Sequence, residues 1–203
     1  MILSVHIPKT AGVSFRKVLA QIHGPGFVQY YWQITDAWGN VCPEIPDGAT
    51  CVHGHFEAHL LADRYPEATL ITWVRDPVER VASSYYFRLR EPDWQHPVCV
   101  ELHQKKLSLP EYAALEWVRD EMTRFLGRKL PEDFAFVGIV EQFDASMERF
   151  FRQFGVAPVV VPRENTNPER QAPVYEISAV DRARILELNQ ADWALYQSCL
   201  ARS

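Results

Sequence analysis

The sequence predicts an α/β fold in which a mostly parallel sheet is flanked by helices. Three apolar runs of strand length, residues 2–7, 49–53 and 68–74, each lead into a segment carrying helix signals. Strand and helix patterns that alternate in this way build parallel sheets, because each crossover needs a helix-length connection. A chain of 203 residues can bury a substantial core as one unit, so a single domain over residues 1–203 is expected.

In order, the first run is followed by Pro8-Lys9-Thr10-Ala11-Gly12-Val13-Ser14 and then by Phe15, Val18, Leu19 and Ile22, an apolar stripe at helical spacing that His23-Gly24-Pro25-Gly26 ends. Residues 27–32 are aromatic and strand-like, and residues 34–47 read as loop. The strand at 49–53 runs into His53-Gly54-His55, with a helix over 56–65. After the strand at 68–74, Asp76 at the N-cap, Pro77 in the first turn and Glu79 three residues past the cap start a helix strongly. Residues 91–107 show no period and read as a loop or lid near the acceptor. Ser108 with Glu111 forms a capping box before a helix that Leu115, Val118, Met122, Phe125 and Leu126 mark and Gly127 ends. A strand at 134–140, a helix at 143–154, a short strand at 159–161, a polar loop at 163–168 and a helical region capped by Ser178 complete the chain.

The loop after the first strand has the chemistry of an anion cradle. Unpaired N–H groups and the positive dipole end of the helix attract anions, Gly12 removes a side chain that would block backbone approach, and Lys9, Thr10 and Ser14 add a cation and two hydroxyls. It is not the nucleoside-triphosphate version, which needs G-x-x-x-x-G-K-[ST]; here the lysine comes three residues before the glycine. His53 and His55, with His59 four further on, suit either a metal or acid–base chemistry, and no carboxylate or cysteine stands nearby at matching spacing.

The order His6-Ile7-Pro8-Lys9-Thr10-Ala11-Gly12-x-Ser14 resembles the 5′-phosphosulfate loop of sulfotransferases, in particular the carbohydrate 2-O-sulfotransferases that include heparan sulfate 2-O-sulfotransferase. Arg75-Asp76-Pro77-x-Glu79-Arg80 followed by Ser83-x-Tyr85-Tyr86-Phe87 resembles their 3′-phosphate motif, and His53-Gly54-His55 stands between the two as it does in that family. The resemblance spans most of the chain, and its specific part ends at Phe87. It implies the sulfotransferase fold and transfer of a sulfuryl group from 3′-phosphoadenosine 5′-phosphosulfate to a hydroxyl acceptor, here expected to be a carbohydrate, without a metal. Carried over by position, Pro8 to Ser14 hold the 5′-phosphate, with Pro8, Lys9, Thr10, Ala11, Gly12, Val13 and Ser14 all counted in. Arg75 and Ser83 hold the 3′-phosphate, and Thr166 lies in a polar loop that closes over the nucleotide. His55 is the expected base ahead of His53, and Lys9 neutralises charge on the bridging oxygen. Val13 departs from the family's threonine, so one hydroxyl contact is missing. A kinase using the same architecture and a non-catalytic nucleotide-binding protein are the competing classes.

Composition limits the rest. A formal charge of −5 argues against nucleic-acid binding driven by general electrostatics. No run approaches a membrane span, and Cys42, Cys51, Cys99 and Cys199 lack C-x-x-C spacing, so the expectation is a soluble cytoplasmic chain with reduced thiols.

Overall fold

The computed structural model describes residues 1–34, 44–160 and 174–203. Five strands, Ile2–Val5 (β1), Phe27–Ile34 (β2), Cys51–Phe56 (β3), Thr69–Val74 (β4) and Phe136–Ile139 (β5), form one sheet in the order β2-β3-β1-β4-β5. Every pairing is parallel. The described helices are Gly12–His23 (α1), Ala58–Arg64 (α2), Pro77–Arg90 (α3), Pro97–Lys105 (α4), Leu109–Ala113 (α5), Glu121–Leu126 (α6), Phe143–Phe154 (α7), Ala179–Leu188 (α8) and Gln190–Leu200 (α9). None of them is long and apolar enough to cross a membrane.

A parallel sheet must bury both faces, and the side-chain alternation of the strands divides the core accordingly. Leu3 and Val5 of β1 point with Val52, Leu70 and Val74 toward α2, α6 and α9. On the other face Ile71, Trp73 and Phe136 pack with Phe15, Val18 and Leu19 of α1 and with Met147 and Phe150 of α7. A third cluster gathers α3, α4, α5 and α8 around Val78, Val81, Leu102, Tyr112 and Ile185.

Several elements differ from the sequence expectation. Helix α1 begins at Gly12 rather than Phe15, because Phe15 N–H already donates to the Ala11 carbonyl at 3.1 Å. The strand expected to end at His53 continues to Phe56, so the whole His-Gly-His lies inside β3. Part of the aperiodic stretch at 91–107 is helix α4, whose inner residues Val98, Cys99 and Leu102 are buried although its exposed face breaks the pattern. The helix read from Ser108 to Gly127 is two short ones, α5 and α6. The Ser108–Glu111 capping box is present, but Asp120 turns left-handed at φ 46° and restarts the chain in a new direction. Val159 and Val160 are not in a strand. Cys51, Cys99 and Cys199 are buried free thiols, and Cys42 lies outside the described residues.

The turn at Asp120 is held by a buried charge cluster. Arg80, on α3 and fully buried, pairs with Glu121, donates to the Val118 carbonyl at 2.7 Å and lies 3.8 Å from Asp192 of α9. Asp192 in turn accepts from Met122 N–H and from both the N–H and the hydroxyl of Thr123. Truncating one member of such a cluster leaves an uncompensated buried charge, at a cost of about 3–5 kcal/mol, whereas an exposed pair contributes about 1 kcal/mol or less. Urea unfolding of Arg80→Ala should therefore show a loss several times that of Arg128→Ala, whose partner Asp63 is exposed. Equal small losses would contradict the cluster's role.

Candidate active site

The chain leaves β1 through α1 toward β2 on one side of the sheet, and leaves β4 toward β5 on the other. Connections that diverge from adjacent strands open a crevice at their carboxyl ends, where open α/β sheets place ligands. The loop after β1 and the residues after β4 meet there.

In that loop Lys9 and Ala11 both adopt positive φ, 67° and 63°. Such backbone is uncommon for residues with a Cβ and costs about 1–3 kcal/mol each, so it persists only where surrounding contacts enforce it. Left-handed residues immediately before a helix N-terminus are the backbone pattern from which anion nests are built, and Ala11 is the residue that leads into α1. Thr10 hydroxyl is committed to holding the loop shut, donating to the Ile7 carbonyl at 2.8 Å. Gly12 serves a contact that its sequence position did not reveal. A Cβ there would lie 1.9 Å from the ring of His6, so the glycine makes room for a buried imidazole. Val13 is partly exposed and Ser14 is buried in the first turn of α1.

Two contacts tie this loop to the end of β4 and to α3. Arg75 Nη1 donates to the Lys9 carbonyl at 3.3 Å, and Lys9 Nζ sits 3.8 Å from the centre of the Phe87 ring. Between these contacts Ser83 lies one turn beyond Glu79 and one turn before Phe87, on the same face of α3. Asp76 caps the helix through Val78 and Glu79 N–H as expected. Glu79 does not complete a capping box; its carboxylate lies 3.5 Å from Arg75 and accepts from Tyr175 N–H. Glu141 approaches Arg75 from the end of β5 at 3.8 Å and accepts from Tyr196 hydroxyl. Burial, with the nearby Arg75 and Arg90 guanidinium groups adding, lowers Lys9 to about 8.

The histidines follow strand geometry. Parallel pairing sets Ser4 beside His53, and continuing the period-two alternation puts Ser4 of β1 and His6, just past its end, on the same face as His53 and His55 of β3. His53 is buried, with Nδ1 2.9 Å from Ser4 hydroxyl, and burial drives it down to about 3. His55, nearer the carboxyl end, is half-buried; its Nδ1 lies 2.5 Å from the His6 carbonyl. A carbonyl can only accept, so Nδ1 carries the proton and Nε2 of the neutral ring keeps its lone pair. Burial lowers His55 to about 4 even though the same carbonyl bond works in the opposite direction. Gly54 separates the two because a Cβ would fall 1.5 Å from the Tyr30 carbonyl oxygen of β2.

Of the residues singled out from sequence, the structure therefore brings together residues 8–14, Arg75 and Ser83, with His55 at the rim and His53 beneath it. His59 stands apart, 3.6 Å from Glu57 and packed against Gly127. Among the described residues no cluster of three or more His, Cys, Asp or Glu is arranged for a metal ion. Thr166 lies outside the described residues. Sequence reading assigned no part to His6, Tyr31, Phe87 or Glu141. The signal for His6 was available in Ser4-x-His6 set against His53-x-His55, a pairing of alternations that only the strand order makes visible.

Comparison with known proteins agrees with this arrangement. A family model described as the sulfotransferase family matches residues 1–197. No curated protein sequence matches. Among solved structures, a sulfotransferase from Alicyclobacillus acidocaldarius superposes with a TM-score of 0.52 at 16% identity, over 99% of this chain and 96% of that one. The mouse sulfotransferase SULT7A1, solved with PAP, is matched at a TM-score of 0.44 and 12% identity, over 92% of this chain and 62% of that one. At such identity the bacterial structure speaks for the fold, while the family match covers nearly every residue, the loop after β1 and α3 included. The chain belongs to the sulfotransferase family and is an enzyme of that kind.

Proposed function

We propose that this enzyme, acting as a single domain over residues 1–203, transfers a sulfuryl group from 3′-phosphoadenosine 5′-phosphosulfate to a hydroxyl of a carbohydrate acceptor. The observation that carries the reading is the tautomer of His55, an imidazole with its lone pair on Nε2 held beside a nest of N–H groups. Resemblance of the His-Gly-His segment to the carbohydrate 2-O-sulfotransferases supports the acceptor class. Walker-type lysine spacing is absent, which disfavours a kinase.

Each residue has a task in this scheme. The nest at residues 9–12 and the start of α1 bind the 5′-phosphate of the donor, while Arg75 and Ser83 bind the 3′-phosphate, with Arg75 exchanging part of its contact with Glu79 and Glu141 for the ligand. His55 Nε2 takes the proton of the acceptor hydroxyl as its oxygen bonds to sulfur. The bond between sulfur and the bridging oxygen breaks, and its electron pair stays on the 5′-phosphate, where Lys9 offsets the new charge. Products are a sulfate ester, adenosine 3′,5′-bisphosphate and a proton released from His55. As in phosphoryl transfer, catalysis rests on positioning and on charge stabilisation.

Three outcomes test the reading. With sulfur-labelled donor and a panel of hydroxylated glycans, His55→Ala should lower turnover by ~10² to 10⁴, the range of a lost general base, with donor affinity nearly unchanged. Retained turnover in that variant, with its loss in His53→Ala, would move the base to His53.

The pH profile of kcat/KM should be broad. His55 must be neutral, so its limb falls only as pH drops through about 4. Lys9 must be charged, so the other limb falls as pH rises through about 8, and Lys9→Arg should remove that limb because a guanidinium stays charged. An acid limb at the ordinary histidine value would contradict the desolvated base.

A charge-assisted hydrogen bond to a desolvated phosphate is worth roughly 1.5–3 kcal/mol. Arg75→Ala should therefore weaken adenosine 3′,5′-bisphosphate by ~10- to ~100-fold and leave adenosine 5′-phosphosulfate almost unaffected. Equal weakening of both, measured by calorimetry in a variant of normal melting temperature, would exclude Arg75 as the 3′-phosphate residue.

A further inference from the structure

His6 touches both halves of the site. Its ring fills the space over Gly12, where a Cβ would come within 1.9 Å of Cδ2 and Nε2, so it packs directly under the first turn of α1. The same ring stacks on His55 with centroids 4.4 Å apart and planes 25° from parallel, and its main-chain carbonyl takes the His55 Nδ1 proton. It also stacks on His53, with centroids 5.0 Å apart and planes 19° from parallel. Its own orientation is set by Tyr31, whose hydroxyl lies 2.9 Å from His6 Nδ1. Tyr31 also meets the edge of His55, with centroids 4.7 Å apart, and the guanidinium of Arg16 on α1 lies over its ring, 5.8 Å from the centre.

We propose that His6 is a positioning residue that couples occupancy of the phosphate loop to the placement of His55. The proposal rests on the reading of His55 as the base, but the coupling has its own observable. Interiors packed at crystal-like density do not absorb displacement smoothly, so a shift of the α1 N-terminus when an anion fills the nest must move the ring lying against Gly12. That ring has two outlets, the His53 stack in the closed core and the His55 stack at the rim. The rim is the softer of the two, because His55 is half-buried while His53 is buried and fastened to Ser4. Linkage makes the effect reciprocal: whatever fixes His55 also changes affinity at the loop. Tyr31 completes the device by restraining the ring from β2, so that loop and base are joined by one imidazole with little freedom of its own.

Two variants separate this from a merely structural part. His6→Phe keeps a flat ring between His53 and His55 and loses the bond to Tyr31; Tyr31→Phe releases the ring without altering it. The probe is adenosine 3′,5′-bisphosphate, followed through the imidazole NMR signals of His55 as it is titrated. In the unmutated enzyme the nucleotide should shift the His55 signals. In His6→Phe that response should shrink to the part that the nucleotide's charge exerts through space, with turnover falling ~10- to ~100-fold, the size expected for a base misplaced by about 1 Å. Nucleotide affinity should stay within about threefold, the KM for donor should be little changed, and Tyr31→Phe should show the same signature more weakly. A full His55 response in His6→Phe, or a turnover loss matched by equal losses of affinity and of melting temperature, would overturn the proposal. If His6→Phe fails to fold, a full His55 response in Tyr31→Phe overturns it and a diminished one supports it. Failure of the base reading is seen elsewhere, as retained turnover in His55→Ala, and leaves the NMR test of the coupling intact.

Discussion

Parallel pairing of β1 with both β3 and β4 is the constraint on which the site depends. Each residue of β1 has a partner on either side, Ser4 facing His53 across one ladder and Ile71 across the other. Three strands that run in one direction with fixed register bring their carboxyl ends to the same edge of the sheet, so the loop after β1, the last histidine of β3 and Arg75 after β4 arrive close together. The loop residues then need only local adjustments: left-handed backbone at Lys9 and Ala11, a hydroxyl bond from Thr10, and Arg75 on the Lys9 carbonyl.

Desolvation sets the protonation state in which those groups arrive. A histidine at its ordinary value of about 6.5 is neutral at pH 7 by only about three to one, whereas one lowered to about 4 is neutral by roughly a thousand to one. Burial thus secures the free base, but a base of such low affinity for protons is weaker than ideal at neutral pH. In the proposed scheme an anionic donor in the adjoining cradle raises it, so the charge bound at the loop would also strengthen the base beside it. Burial and two guanidinium groups likewise weaken the hold of Lys9 on its proton, and in the proposed scheme the donor's negative charge would restore it. Phe87, giving the ammonium an aromatic face, holds it in place without adding the charge of a carboxylate.

Much of this was legible in the residues. The strand, loop and helix of residues 2–23, the cap at Asp76 and the stripe of Ser83 on α3 depend on short-range periodicity and on local side-chain bonds, which a sequence displays directly. What was not legible depends on partners far along the chain. Helix α4 hides behind a polar face; the break at Asp120 is paid for by Arg80 and Asp192, distant in sequence; and Gly12 is required by His6, a neighbour only after the chain has turned back. His6 itself is an unremarkable residue at the end of β1 until the sheet order sets that strand beside β3. The loop expected to carry Thr166 falls outside the described residues, so that assignment stands on resemblance alone.

The central claim is that this crevice recognises a 3′-phosphorylated adenine nucleotide and not a nucleoside triphosphate. Thermal unfolding with saturating adenosine 3′,5′-bisphosphate, compared with ATP plus magnesium, tests it most directly, since a ligand that binds only the native state raises the melting temperature with its affinity. The account predicts a clear rise with the bisphosphate and little or none with ATP and magnesium. A rise with ATP and magnesium alone would contradict it.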